Sequence, residues 1–310
     1  QDITSAGETI RELDVESKID VAKDGKVCPQ LDGFEINDFT DSEGGKTNYA
    51  LYTPKKDSHK NALVIWNHGG GEYNGNLEDT LVANKGLTGW VDAGYDVAVL
   101  QMQVGNENYS YGAAENEDKK KLIDQNNALQ AQLIKNLIND GNVNKNQVYV
   151  AGASSGGGAT MRFLMQYPEI FAGAIACCSM DPIVPVHNQT FAALGREKDP
   201  FDTIVSNFEE AFQGNVYTWD ESTQSMVSKK IDTQKLLDVP IYYTHAENDP
   251  TCNVDSSKAM YKAMENMGDK NNKLSIWSDD EMKAVGISNG MGGTLLHWSW
   301  VKVLNDNTDG

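Results

Sequence analysis

One string narrows the folds open to this chain more than any other. It is Gly152-Ala153-Ser154-Ser155-Gly156, entered from the apolar Val148-Tyr149-Val150-Ala151 and left by a helical pattern over 158–167 that Pro168 halts. The apolar run predicts a buried strand, and the small residues around Ser154 let the chain turn sharply and let strand and helix approach each other. A strand, a strained turn and a helix in that order lift a serine hydroxyl out at the carboxyl end of a sheet. G-x-S-x-G alone is short enough to arise by chance, and its flanks give it weight. Ser155 is one place off the pattern, so Ser154 is the expected nucleophile and Ser155 offers its main-chain N–H.

The rest of the chain supplies the sheet that such a turn needs. Residues 62–66 read as a buried strand and 77–93 as a helix, and 97–100 is the next strand. Over 119–138 apolar residues fall at helical spacing, and Asp140-Gly141 stops the pattern. Strand 148–151, helix 158–167 and strand 171–178 follow, and the rhythm resumes with strand 240–244, helix 256–267, strand 273–277 and a terminal helix over 298–304. Before all of these, alternating patches at 33–39 and 49–52 around a turn-rich 41–46 predict an antiparallel start. Strands alternating with helices predict a mostly parallel sheet covered on both faces. The pause over about 180–238, with Pro182, Pro185 and Pro200 and several aromatics, is too long for an ordinary connection and reads as an insertion above the sheet. The expected organisation is a single domain over 1–310 carrying that insertion as a lid or cap.

Charge and cysteine content exclude whole classes of function. Among the 310 residues Lys plus Arg number 26 and Asp plus Glu 45, a net charge of −19 that repels nucleic-acid backbones and anionic membrane surfaces. No apolar run approaches the roughly 18 residues of a membrane span. The four cysteines, Cys28, Cys177, Cys178 and Cys252, lack CxxC spacing and are too few for a disulfide scaffold; buried small hydrophobes is their simplest reading. A bridge from Cys252 to Cys177 or Cys178 would span two loops that the sheet brings near each other; Cys28 is an equal partner, and all four cysteines being free is the alternative. Asn139 to Asn146 lacks the spaced acids of a calcium loop and reads as a solvated turn. No metal and no cofactor is expected. The chain opens at Gln1 without a basic-then-apolar leader, which fits an exported protein after leader removal.

A serine nucleophile needs an oxyanion site, a base and an acid. His68-Gly69-Gly70-Gly71 stands directly after strand 62–66, where glycine N–H groups can point at a developing oxyanion without a Cβ in the way. A phosphate-cradling loop is the rival reading, but no GxGxxG or GK[ST] accompanies it. His68 itself reads as a structural residue of that loop. Of the five histidines, 59, 68, 187, 245 and 297, His297 alone follows Asp249 in the order serine, acid, histidine. Asp249 lies in the loop after strand 240–244 and has competitors in Glu247, Asp255, Asp279 and Asp280.

Taken together, these segments resemble an α/β-hydrolase of the secreted esterase and peptidase type, near feruloyl esterases, polyhydroxybutyrate depolymerases and prolyl-oligopeptidase-like hydrolases. The resemblance runs from about residue 49 to the C-terminus. It is carried by Asn67-His68-Gly69-Gly70-Gly71-Glu72, by 144–157, by Tyr167-Pro168-Glu169-Ile170-Phe171-Ala172-Gly173-Ala174, by His245-Ala246-Glu247-Asn248-Asp249 and by His297-Trp298-Ser299-Trp300. The family roles fall on Ser154, Asp249 and His297, with Gly70 and Ser155 as oxyanion donors. Ala246 replaces the usual glycine, and the acidic insertion at 180–238 departs from the family pattern, so the resemblance does not fix the substrate. The resemblance implies hydrolysis of small-molecule or polysaccharide-linked carboxylic esters, aryl or hydroxycinnamoyl groups among them. Phe191, Phe212 and Trp219 of the insertion are the expected substrate contacts. A serine peptidase and a non-catalytic ligand-binding relative are the alternatives.

Overall fold

Alternation of buried side chains along each strand requires two covers, one for each face of the sheet. The computed structural model describes residues 34–40, 46–54, 60–70, 88–92, 97–102, 117–180, 183–284 and 294–305. Its strands are β1 (Phe34–Thr40), β2 (Lys46–Tyr52), β3 (Asn61–Asn67), β4 (Val97–Met102), β5 (Val143–Ala153), β6 (Gly173–Cys177), β7 (Asn215–Asp220), β8 (Ser225–Lys230), β9 (Ile241–Ala246) and β10 (Lys273–Trp277). The helices are α1 (Thr88–Asp92), α2 (Glu117–Asn139), α3 (Ser155–Gln166), α4 (Gln189–Ala193), α5 (Phe201–Phe212), α6 (Thr233–Asp238), α7 (Asp255–Asn266), α8 (Asp279–Lys283) and α9 (Ser299–Asn305). One eight-stranded sheet runs β1-β2-β4-β3-β5-β6-β9-β10. The pairs β1/β2 and β2/β4 are antiparallel, and every pair from β4/β3 to β9/β10 is parallel. This is the mostly parallel sheet that the resemblance implied. The turn expected at 41–46, apart from Lys46 at the start of β2, and most of the helix expected over 77–93 lie outside the described residues, as do Cys28 and His59.

Leu63, Ile65, Val148, Val150, Ala174, Ala176, Ile241 and Tyr243 face the main core, which α2, α3, α5 and α7 complete with Ile134, Phe163, Phe208 and Met264. The opposite face carries Trp66, Ala151, Ala153 and Cys177 against Trp298, Trp300, Val301 and Leu304, with Trp90 of α1 beside them. Strand β5 is longer than its apolar run: Val143 pairs with Asn61 of β3, the register then shifts, and regular pairing resumes at Val148. The turn expected at Asn139 to Asn146 therefore falls partly before Val143 and partly in this irregular stretch. Asn144 to Gln147 sits in the exposed beginning of β5, where Asn146 N–H bonds Asn144 Oδ1 at 3.0 Å.

Between β6 and β9 stand α4, α5, the antiparallel β7/β8 hairpin and α6. Ile204, Val205, Phe208 and Phe212 form the buried stripe of α5, which packs on α7. The hairpin lies against α2 and is bonded to buried polar groups there. Tyr217 N–H donates to Asp124 Oδ2 at 2.8 Å, and Gln166 Nε2 donates to Tyr217 O at 2.7 Å. Arg162 holds the same aspartate through Nε at 2.5 Å and Nη2 at 2.8 Å, all of it buried.

Candidate active site

Register decides what meets at the carboxyl ends of the strands. Asn67 of β3 lies opposite Gly152 of β5, Ala153 opposite Cys177 of β6, and Cys177 opposite Thr244 of β9. The loops that follow these positions carry His68 to Gly70, Ser154, Cys178 and Asp249. They share one edge of the sheet, at the crevice where β3 and β5 neighbour each other while their connections diverge.

Ser154 adopts φ 58° and ψ −121°, a left-handed conformation that costs a non-glycine residue about 1–3 kcal/mol. Surrounding bonds hold it there. Ser154 N–H donates to Cys177 O at 3.0 Å, and Ser154 O accepts from Met180 N–H at 2.9 Å and Gly158 N–H at 3.1 Å. The turn also needs Gly156, where a Cβ would run into the carbonyl oxygens of Asn67 and His68. Ser155 is the first residue of α3, so its N–H has no partner within the helix and points out of its positive end.

The strand end that precedes Gly70 is pinned by buried amides. Asn67 Nδ2 donates to Thr160 Oγ1 at 3.0 Å, and Gln130 Nε2 donates to Asn67 Oδ1 at 3.2 Å. His68 is buried, and its Nδ1–H donates to Gly69 O at 2.8 Å. Burial pushes its pKa down to about 4 against the opposing effect of that bond, so the ring is neutral at pH 7. His68 is thus a structural part of the loop, as its sequence position suggested. Gly70 is the last described residue of the glycine string and half-buried; Gly71 and Glu72 lie outside the described residues.

Asp249 and His297 form a buried pair. Nδ1 of His297 lies 2.8 Å from Asp249 Oδ2 and 3.1 Å from Oδ1, and His297 closes a short 3₁₀ turn (Thr294–His297) just before α9. Asp249 Oδ1 also accepts from Thr251 N–H at 2.8 Å and Cys252 N–H at 3.0 Å. Burial opposes ionisation of this carboxyl, but the neighbouring imidazoles and their hydrogen bonds outweigh it and hold the pKa well below the usual carboxylate range. The competing acids are engaged elsewhere: Glu247 with Lys258, Asp255 with Lys198, Asp279 with Asn248 and Asp280 with Lys283.

His245, to which no separate role was assigned from sequence, is buried against the same carboxylate. Its Nε2 is 3.2 Å from Asp249 Oδ2 and 3.1 Å from Cys252 O, and its Nδ1 is 2.8 Å from Ser257 Oγ. Both partners of Nε2 are acceptors, so Nε2 carries a proton. The signal that could have found it is His245 itself, four residues before Asp249 at the end of a buried strand. Cys252 closes the cluster with Sγ 3.9 Å from Ser154 Oγ, linking the serine turn to the acid loop. Cys177, Cys178 and Cys252 are free thiols, so the bridge considered from sequence is not formed among them.

The insertion aromatics are placed differently from expectation. Phe212 has no exposed surface and stacks on Phe208 within the main core. Trp219 packs against that core, with its main-chain N–H donating to the hydroxyl of Tyr167, just past the C-terminal end of α3. Ser154 is at the other end of this 12-residue helix, roughly 18 Å away at 1.5 Å per residue. Phe191 is buried beneath the Arg196 guanidinium, 4.3 Å from its ring. These rings serve the segment's own packing, because an apolar stripe on a short amphipathic helix is needed first to hold that helix down.

The model of the prolyl oligopeptidase family matches residues 89–282, more than half of the chain. Among solved structures the fold is similar to that of a thermostable esterase, at 22% identity and a TM-score of 0.62, over 88% of this chain and 60% of that one. It is also similar to a prolyl endopeptidase structure, at 15% identity and a TM-score of 0.54, over 88% of this chain and 37% of that one. The chain therefore spans less than two thirds of the length of either protein, and at these identities the likeness is one of fold. No curated protein matches the chain.

Proposed function

Because the chain belongs to the prolyl oligopeptidase family, we propose that it is a serine hydrolase that cleaves carboxylic esters through an acyl-enzyme. The observation that carries this reading is the buried Asp249–His297 pair at 2.8 Å, lying on the same sheet edge as a serine held in a strained turn. In the proposed reaction His297 takes the Ser154 proton through Nε2 as Oγ attacks the acyl carbon. Asp249 accepts from Nδ1–H, fixes the tautomer and stabilises the imidazolium. The N–H groups of Gly70 and Ser155 receive the oxyanion, and collapse expels the alcohol with the proton that His297 returns. Water then repeats the sequence on the acyl-enzyme. An ester suits this set because a phenolate or alkoxide leaves with less help from the general acid than an amine does. Aryl, hydroxycinnamoyl and other small acyl esters are the proposed substrates.

Peptide-bond cleavage is the second reading, favoured by the family match itself, and it uses the same groups with a poorer leaving group. Fluorophosphonate labelling with peptide mapping tests the nucleophile. A panel of p-nitrophenyl acetate, p-nitrophenyl butyrate, methyl hydroxycinnamates and aminoacyl p-nitroanilides tests the bond. Label on Ser154 with esters turned over at least a hundredfold faster than anilides is the expected result. Faster anilide turnover would favour the peptidase, and absence of label on Ser154 would overturn both readings.

A further inference from the structure

Cys178 takes no part in the chemistry proposed above, yet the fold delivers its sulfur to that chemistry's centre. The residue follows β6 with φ 38°, one of three described non-glycine residues at positive φ, and its N–H is fixed on Thr244 O at 2.7 Å. The Cys178 sulfur, a carboxylate oxygen of Asp249 and a ring nitrogen of His297 all lie within 4.8 Å of one another. Sulfur, nitrogen and oxygen at that spacing are the donor set of a tetrahedral Zn²⁺ site with three protein ligands and a fourth position left for water. The buried Ser299 hydroxyl lies beside the Cys178 sulfur, where it can donate to a thiolate and steady it. Ligands closed from three separate loops at the ends of β6 and β9 and before α9 are pre-positioned by the same bonds that hold the Asp249–His297 pair.

We propose that Cys178, Asp249 and His297 form an inhibitory site for a thiophilic divalent cation, with Zn²⁺ as the reference ion. The inhibition, though not the binding, rests on the serine-hydrolase reading. On binding, the Cys178 S–H bond breaks heterolytically, its proton passes to the buffer, and bonds from Zn²⁺ to sulfur, nitrogen and oxygen form without any change of oxidation state. Either ring nitrogen of His297 serves this outcome. A metal on Nε2 occupies the base directly, whereas a metal on Nδ1 forces the remaining ring proton onto Nε2, which then cannot accept the serine proton. The carboxylate that would orient the ring is drawn away at the same time.

The test is made in a Cys28→Ser background, so that no thiol outside the described residues contributes. Co²⁺ replaces Zn²⁺ as a spectroscopic probe, and calorimetry counts bound Zn²⁺. The expected result is one ion per chain, a thiolate-to-Co²⁺ charge-transfer band, and loss of p-nitrophenyl acetate hydrolysis that EDTA reverses. Cys178→Ser should lose the band and need at least tenfold more Zn²⁺ for half-inhibition relative to its own metal-free rate, whereas Cys252→Ser should keep the band. A circular dichroism spectrum and melting curve establish that each variant is folded. Absence of the band from the Cys28→Ser protein overturns the proposal even if neither further variant folds, and so does a band that survives in Cys178→Ser or vanishes only in Cys252→Ser. If the ion binds with its band but the protein hydrolyses no ester, the functional reading fails and the site stands.

Discussion

Replacing His245 by alanine separates a positioning role from a packing role. His245 Nε2–H is shared between Asp249 Oδ2 at 3.2 Å and Cys252 O at 3.1 Å, both at the long end of the hydrogen-bond range. A bond to a charged acceptor contributes about 1.5–3 kcal/mol. Divided between two acceptors, the part felt by Asp249 is about 1 kcal/mol. Asp249 keeps Thr251 N–H, Cys252 N–H and His297, so its carboxylate stays in place but is more basic than before. The ~1 kcal/mol lost is restraint on the carboxylate that aims the His297 ring. Looser aim of the ring lowers kcat about fivefold, with KM nearly unchanged. His245→Gln, which retains an N–H near the position of Nε2, should recover most of that loss. The assay is kcat and KM of p-nitrophenyl acetate hydrolysis for the three proteins, with thermal melts alongside. An alanine variant with a lowered melting temperature but unchanged kcat would refute the argument and leave His245 as packing only.

His68 should make the fold sensitive to mild acid. Its folded pKa, about 4, lies below the unfolded value near 6.5, so stability is full above pH 6.5 and falls by up to ~3 kcal/mol as pH drops toward 4. Urea midpoints across that window should slope less in His68→Asn, which can still donate to Gly69 O; an equal slope would refute the assignment. Arg162→Met should destabilise by about 3–5 kcal/mol, because among the described residues Tyr217 N–H is then the one donor left to a buried carboxyl whose pKa burial already raises. Adding Asp124→Asn should restore more than half of that loss in a denaturant double-mutant cycle, and simple additivity would count against the pairing. Gly156→Ala should cost more than 3 kcal/mol or prevent soluble expression, since its Cβ meets two main-chain carbonyls that cannot move without displacing β3. A near-native melting temperature would show that the turn is looser than described.

Local patterns of the chain were sufficient for everything that depends on neighbours a few residues apart. The periods of two and 3.6 residues placed β3, β6, β9, β10, α2, α3 and α7 to within a few positions and found the apolar part of β5, and the small residues about Ser154 marked the strained turn. Chain order alone selected His297. It could not choose Asp249 over Glu247, Asp255, Asp279 or Asp280, because five carboxylates within or after one loop are equivalent until side chains find partners. In the tertiary structure Asp249 closes a contact across 48 residues to His297, while a lysine or Asn248 engages each competitor. The aromatics of 180–238 show the reverse limit. Their sequence said only that they are apolar, and whether such rings meet substrate or core depends on which helix face they share. Cys178 likewise carries no local signal of its surroundings, and His245 shows only that it ends a buried strand four residues before Asp249. They reach the Asp249 cluster because β6 and β9 pair in register and end at one edge, so backbone hydrogen bonding between distant strands, rather than any periodicity within them, decides what the site contains.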